Sequence, residues 1–182
     1  SHFDTLDDMM HYGVLPDLHP PGYQLLMFGV QRLVGDSEFA LRLPSDLAGV
    51  LAVALTYALG RRLYGHDEGV IAAGLAAVLW FPIHYSQEAR SYALLLVSVL
   101  GTTLLWLRCC TALQQGLVPG PRPLRCAYVA LAALTAYLHY FGLYLIVWQA
   151  VGSVLWLGFR RFRTLLPFYG VWALLYAPWM GA

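Results

Sequence analysis

Charge is what this sequence has least of. Only 12% of its 182 residues are Asp, Glu, Lys or Arg, about half the roughly 25% of an average soluble domain. So little charge cannot cover a water-facing surface, which excludes an ordinary soluble domain. Lysine is absent: all eleven basic residues are arginine. Three cysteines, two of them adjacent (Cys109 and Cys110), do not make the framework of a disulfide-stapled secreted domain. They and Cys126 read as thiols within a membrane or at its cytoplasmic edge. A formal net charge of +1 argues against a nucleic-acid partner, which usually meets a clearly basic face. The sequence has no signal peptide, CxxC pair, glycine-rich phosphate cradle, nucleophile elbow or low-complexity tract. It also has no repeat with a period of roughly 20–50 residues.

What is there is apolar: 59% of the residues are hydrophobic and the mean hydropathy is +0.60. A helix crossing a bilayer core needs roughly 20 such residues. Residues 47–60 are apolar except for Thr56. The stretch extends back to Phe39 through Arg42 and Asp46, and Arg61 and Arg62 stop it. Residues 70–83 and 93–107 follow, the second ended by Arg108. Gln114 to Arg125, rich in Gly and Pro, reads as a loop. The segment between Arg125 and Arg160 would be about 50 Å long as one helix, at ~1.5 Å per residue. The bilayer core is only about 30 Å thick. With arginine at both ends and His139-Tyr140 near its middle, this segment predicts a hairpin. Arg62 to Arg108 repeats the pattern, turning at His84 to Tyr92.

By the positive-inside rule, Arg61, Arg62, Arg108, Arg122, Arg125, Arg160, Arg161 and Arg163 are cytoplasmic. The N-terminal segment, the Glu88 loop and the His139 turn take the outer face. Pro20 to Gly35 opens on two prolines that suit the first turn of a helix. It is short for a span and reads as a helix in the outer interface, or else as a short re-entrant or tilted span. The expected fold is all-α, a polytopic transmembrane bundle forming one domain over 1–182. An outer loop spans 1–19 and the interfacial helix 20–35. Membrane helices are expected at 39–60, 69–84, 91–108, 126–139, 142–159 and 165–182, giving five or six spans.

Ionisable residues in membrane segments are costly and are therefore suspects for function. Three clusters collect at the outer face: Asp17-Leu18-His19-Pro20-Pro21; Glu38 with Arg42 and Asp46; and Gln87-Glu88-Ala89-Arg90. At a hairpin turn Glu88 can bind a metal or act as a base, and Arg90 can grip a phosphate with its forked guanidinium. An ordinary loop ion pair is the alternative. Arg42 and Asp46, four apart on one helix face, either pair with each other or leave Arg42 to a phosphate. Asp17 and His19 can ligate a divalent metal or sit in a solvated loop. His139, beside Tyr137 and Tyr140, can carry a proton or act as a ligand, or it bonds backbone at the interface. The Trp and Tyr residues read mostly as interfacial belts.

Five motifs stand in series: His19-Pro20-Pro21-Gly22-Tyr23; Gly35 to Ser45; Gly60-Arg61-Arg62-Leu63-Tyr64-Gly65; Tyr85-Ser86-Gln87-Glu88-Ala89-Arg90-Ser91-Tyr92-Ala93; and Tyr137-Leu138-His139-Tyr140-Phe141-Gly142. In order and spacing, over nearly the whole chain, the series resembles the membrane glycosyltransferases of the protein-mannosyltransferase and aminoarabinose-transferase superfamily, which have the GT-C fold. The resemblance implies an enzyme that takes a sugar from a polyprenyl-phosphate carrier at the outer face. It passes the sugar, with inversion, to a hydroxyl of a protein, lipid or polysaccharide. An acid of the first outer loop deprotonates the acceptor, and a divalent metal or a basic residue stabilises the departing phosphate. Carried over residue by residue, the resemblance makes Glu88 the second-loop acid and, with Asp17, the catalytic candidate. Arg90 and Arg42 are candidates for the donor phosphate. His19, Tyr23, Tyr92, His139 and Tyr140 line the cavity, with His19 the candidate metal ligand.

The family's acidic pair should lie some tens of residues before the His-Pro-Pro motif, and residues 1–18 do not contain it. The first helix and its base are therefore expected before Ser1, and this stretch is not expected to be active by itself. A bacterial plasma membrane is the expected setting, with the catalytic face outward. Two other classes compete: a transporter or flippase of lipid-linked substrates, and a non-catalytic membrane scaffold. A transporter carries ionisable or helix-breaking residues near the midplane. Here they collect at one face, which favours the transferase.

Overall fold

The computed structural model describes residues 8–14 and 20–180. Met9–Val14 form a short π-helical turn, and all other regular structure among the described residues is α-helical. Helix α1 (Gly22–Val34) opens directly after Pro20 and Pro21 and ends at Gly35. That residue takes a φ of 105° and donates its N–H to the Gln31 carbonyl. At 13 residues α1 is about 20 Å long, too short for the bilayer core.

Helix α2 (Glu38–Leu63) starts on Ser37, whose hydroxyl accepts the Ala40 N–H at 3.2 Å. Glu38 in its first turn and Arg61 and Arg62 in its last complement the helix dipole. Then follow α3 (His66–Val78), α4 (Trp80–Gln87), α5 (Ser91–Gln114), α6 (Arg122–Leu138), α7 (Phe141–Leu157), the single turn α8 (Phe159–Phe162) and α9 (Leu166–Met180).

Several expected boundaries differ: the helix expected from 126 begins at Arg122 and the one expected to end at 60 runs to Leu63, and two larger differences have a clear cause. Residues 69–84 were expected as one helix, yet α3 and α4 meet at Leu79 with a bend of 54°. Pro82 explains the break: it has no N–H to give to the carbonyl of Val78, and its ring would clash there. Three residues into α4 the same proline is tolerated, because first-turn N–H groups have no helical partner. Helix α5 was expected to stop at Arg108 but runs on to Gln114. Its last turns bury Cys109, Cys110 and Leu113 against Leu157 and Leu165, so helix persists where hydropathy falls. Helices α2 and α5, of 26 and 24 residues, are each long and apolar enough to cross a membrane, and the bent α3–α4 pair makes a third candidate. Helices α6, α7 and α9 hold 17, 17 and 15 residues, because the turns between them use up part of each apolar run.

Helices α2 and α5 run parallel. Ser45 of α2 donates to the Arg90 carbonyl near one end, and Arg62 donates to Thr111 at the other. Where α2 and α3 cross, only glycine fits. A Cβ on Gly60 would lie 2.9 Å from the Gly69 Cα, and one on Gly69 would lie 2.8 Å from the Arg61 nitrogen. Polar side chains join the later helices, as small and hydroxyl residues do inside membranes. Thr102 meets Thr135 at 3.2 Å, Trp106 donates to Ser153 at 2.8 Å, and Tyr128 donates to Gln149 at 2.9 Å. The Tyr137 hydroxyl donates to the Leu175 carbonyl, which ties α9 to α6.

Candidate active site

This packing gathers three chain reversals at the rim opposite the arginine-rich end: the start of α2, the Glu88–Arg90 turn between α4 and α5, and the His139–Tyr140 turn between α6 and α7. Helix α1 lies against the third. A Cβ at Gly22 would be 2.5 Å from the Tyr137 carbonyl oxygen, so glycine is what lets α1 sit that close.

The Glu88 carboxylate is held from both sides. His84 Nε2 lies 3.3 Å from one oxygen and Arg90 Nε 3.7 Å from the other. His84 is stacked on Trp80 with ring centres 4.5 Å apart. From there a continuous series of ring contacts crosses the rim: His84 to Tyr85, Tyr85 to Tyr92 at 4.9 Å, Tyr92 to His139 at 5.8 Å, and His139 to Phe141 at 4.6 Å. This series fixes the three turns relative to one another. His139 Nδ1 accepts the Phe141 N–H at 3.2 Å, which leaves Nε2 to carry the proton of a neutral ring.

Three spaces meet here. A polar cavity of about 430 Å³ is bounded by Tyr23 and Gln24 of α1, by Arg90, Ser91 and Tyr92, and by His139. Beside it, a second cavity of about 500 Å³ holds Glu38, Arg42, Gln87, Glu88 and Arg90. A third, apolar groove of about 500 Å³ runs into the bundle between α2, α4 and α5, with Phe81, Tyr92, Leu96 and Val99 among its walls. Arg90 belongs to both polar spaces, and Tyr92 belongs to the polar cavity and the apolar groove. In the polar cavity the Tyr23 hydroxyl and Gln24 Oε1 are buried without a hydrogen-bond partner. Loss of water pushes the Tyr23 hydroxyl up to about 12, against smaller lowering effects from Ser45 and the Arg90 charge.

Of the residues expected from sequence, Glu88, Arg90, Arg42, Tyr23, Tyr92 and His139 lie along these connected spaces. Arg42 pairs with Glu38, one turn back, at 2.5 Å. The pairing with Asp46 is not made, and Asp46 stands exposed on α2. Tyr140 caps the start of α7, is 36% exposed, and is not among the residues bounding the polar cavity. Asp17 and His19 lie outside the described residues. Three contributors were not foreseen: His84, Gln24 and the buried Ser45. For His84 the four-residue spacing to Glu88 carried a signal; for Gln24 and Ser45 there was none.

A divalent metal was expected as one way to hold the phosphate. Among the described residues no cluster of three or more His, Cys, Asp or Glu is placed to hold one. Both oxygens of Glu88 face cationic or hydrogen-bonding neighbours instead. The expected metal ligand His19, with Asp17, lies outside the described residues, and no step below is routed through a metal.

An all-α bundle with helices long and apolar enough to cross a membrane defines an integral membrane protein. The chain belongs to the dolichyl-phosphate-mannose-protein mannosyltransferase family, whose model matches residues 18–180. That family is one of membrane glycosyltransferases of the GT-C type. No curated protein and no solved structure matches the chain.

Proposed function

We propose that this protein moves a sugar from a polyprenyl-phosphate carrier to a hydroxyl of a protein, lipid or polysaccharide acceptor, at the outer face of a bacterial plasma membrane. The observation that carries this is the way Arg90 and Tyr92 join a polar cavity, an ion-lined cavity and an apolar groove. A lipid-linked sugar phosphate has these three parts in this order: hydroxyls, anion, hydrocarbon.

The polyprenyl tail lies in the apolar groove. Its phosphate lies at Arg90, with Arg42 along the same ion-lined space. The sugar fills the polar cavity, where its hydroxyls satisfy the Tyr23 hydroxyl and Gln24 Oε1, whose lack of partners is costly in the free protein. The acceptor oxygen attacks the anomeric carbon from the face opposite the phosphate. The bond between that carbon and the phosphate oxygen breaks, and its electron pair leaves with the phosphate. Arg90 meets the charge that develops there. A cation already held where charge develops stabilises it in the transition state. Glu88 positions Arg90. The acceptor's proton goes to a first-loop carboxylate, for which Asp17 is this chain's candidate.

Washed membranes containing the full-length protein, given labelled polyprenyl-phosphate sugar, test the reading. Transfer of label to a hydroxyl acceptor is expected. Movement of intact donor across the membrane without cleavage would make the protein a transporter instead.

A further inference from the structure

The arginine-rich end of the bundle holds a second site of a different kind. Arg122, Arg125, Cys126, Val129 and Ala130 recur along α6 at the spacings that place residues on one helix stripe. Phe168, Val171 and Leu175 form a matching stripe on α9. The two stripes enclose a groove of about 520 Å³. Its walls are apolar and its mouth carries two guanidinium groups.

Two other arginines at the same end join helices. Arg62 donates to Thr111 and Arg161 to the Gln114 carbonyl, so both tie helices together. The side chains of Arg122 and Arg125, like those of Arg108, Arg160 and Arg163, make no ion pair or hydrogen bond with any described residue; Arg122 and Arg125 are the two that line the groove. At that end the described acids are Asp67 and Glu68, in the first turn of α3, which packs on α2. Three residues apart, the two guanidinium groups repel each other on one helix face. An anion between them removes that repulsion.

The shape of the groove selects the anion. From Arg122 to Ala130 it runs about 12 Å along α6, close to the roughly 15 Å of one leaflet's hydrocarbon. Its apolar walls beneath two cations suit an acyl chain below an anionic headgroup.

We propose that this groove binds an anionic phospholipid of the arginine-side leaflet, with its phosphate between Arg122 and Arg125 and an acyl chain along Val129, Ala130, Val171 and Leu175. Two arginines near an anionic headgroup favour it over a zwitterionic one by roughly thirtyfold.

Cys126 supplies the reporter. It is exposed in the groove wall, whereas Cys109 and Cys110 are buried. The full-length protein in detergent is titrated with dioleoyl-phosphatidylglycerol or dioleoyl-phosphatidylcholine, and maleimide alkylation of Cys126 is followed by mass spectrometry. Phosphatidylglycerol is expected to half-protect Cys126 at a mole fraction about thirtyfold below phosphatidylcholine, while inorganic phosphate does not protect. In R122Q/R125Q the two lipids should become equivalent with Cys126 still reactive. In R122K/R125K the preference should persist. Equal protection by both lipids in the wild type overturns the proposal. So does a Cys126 that resists alkylation in lipid-free detergent, because another part of the protein then covers the groove.

Discussion

Replacing Arg90 by alanine separates chemistry from structure at the proposed site. The Arg90 side chain is 67% exposed, and its described ion-pair partner is Glu88 at 3.7 Å. An exposed pair of this kind contributes roughly 0.2–1 kcal/mol, so Arg90→Ala leaves the fold and the melting temperature nearly unchanged. If Arg90 meets the leaving phosphate, its loss removes a preorganised charge worth about 2.7–4 kcal/mol, or roughly 10²–10³ in kcat. Arg90→Lys recovers only part of this, since lysine keeps the charge without the fork. The assay is transfer from labelled polyprenyl-phosphate sugar by the full-length protein in proteoliposomes, with its melting temperature measured alongside. Glu88→Gln provides the internal comparison. If Glu88 only positions Arg90, the lost pair lowers kcat by at most about fivefold. If its carboxylate takes the acceptor's proton, the loss is roughly 10²–10⁴. A kcat for Arg90→Ala within about threefold of wild type would refute the placement of the phosphate.

Tyr23→Phe removes a buried hydroxyl that lacks a partner. It should leave the free protein at least as stable while raising KM for the donor, read from a melting curve and transfer kinetics. Burial favours the neutral form of Tyr23, so its absorbance change on alkaline titration should come near pH 12 rather than its ordinary 10; subtracting the Tyr23→Phe curve isolates it. Gly69→Leu drives a side chain into the α2 backbone, 2.8 Å away already at Cβ. It should destabilise the α2–α3 hairpin by about 1–3 kcal/mol, seen as a lower melting temperature in detergent. Thr135→Val breaks the bond to Thr102 and should cost roughly 0.6–1.7 kcal/mol in the same assay.

Much of the fold was legible in the residues themselves. Apolar runs bounded by arginine mark helices that cross or enter a bilayer, because a buried backbone there must satisfy itself. The pair of prolines before α1 marks a helix start for a local reason. Less legible were the features that depend on what a residue meets. The bend at Leu79 follows from Pro82, whose effect falls a turn earlier. The extension of α5 past Arg108 follows from contacts with Leu157 and Leu165, some fifty residues further along the chain.

The sequence by itself determined the class of this protein: too little charge for water, enough apolar length for a membrane, and charged motifs grouped between the apolar runs. It also singled out Glu88, Arg90 and His139, because polar residues at the turns of an apolar chain have few other reasons to be there. Only the tertiary structure decided their partnerships. Arg42 went to Glu38 rather than Asp46, Glu88 was taken between His84 and Arg90, and the hydroxyl of Tyr23 and amide oxygen of Gln24 were left unsatisfied beside Arg90. The reason is physical. Spacing along a helix sets which face a residue occupies, but which neighbour reaches it is settled by how α1, α2, α4 and α5 pack, and that packing rests on close approaches at Gly22, Gly60 and Gly69.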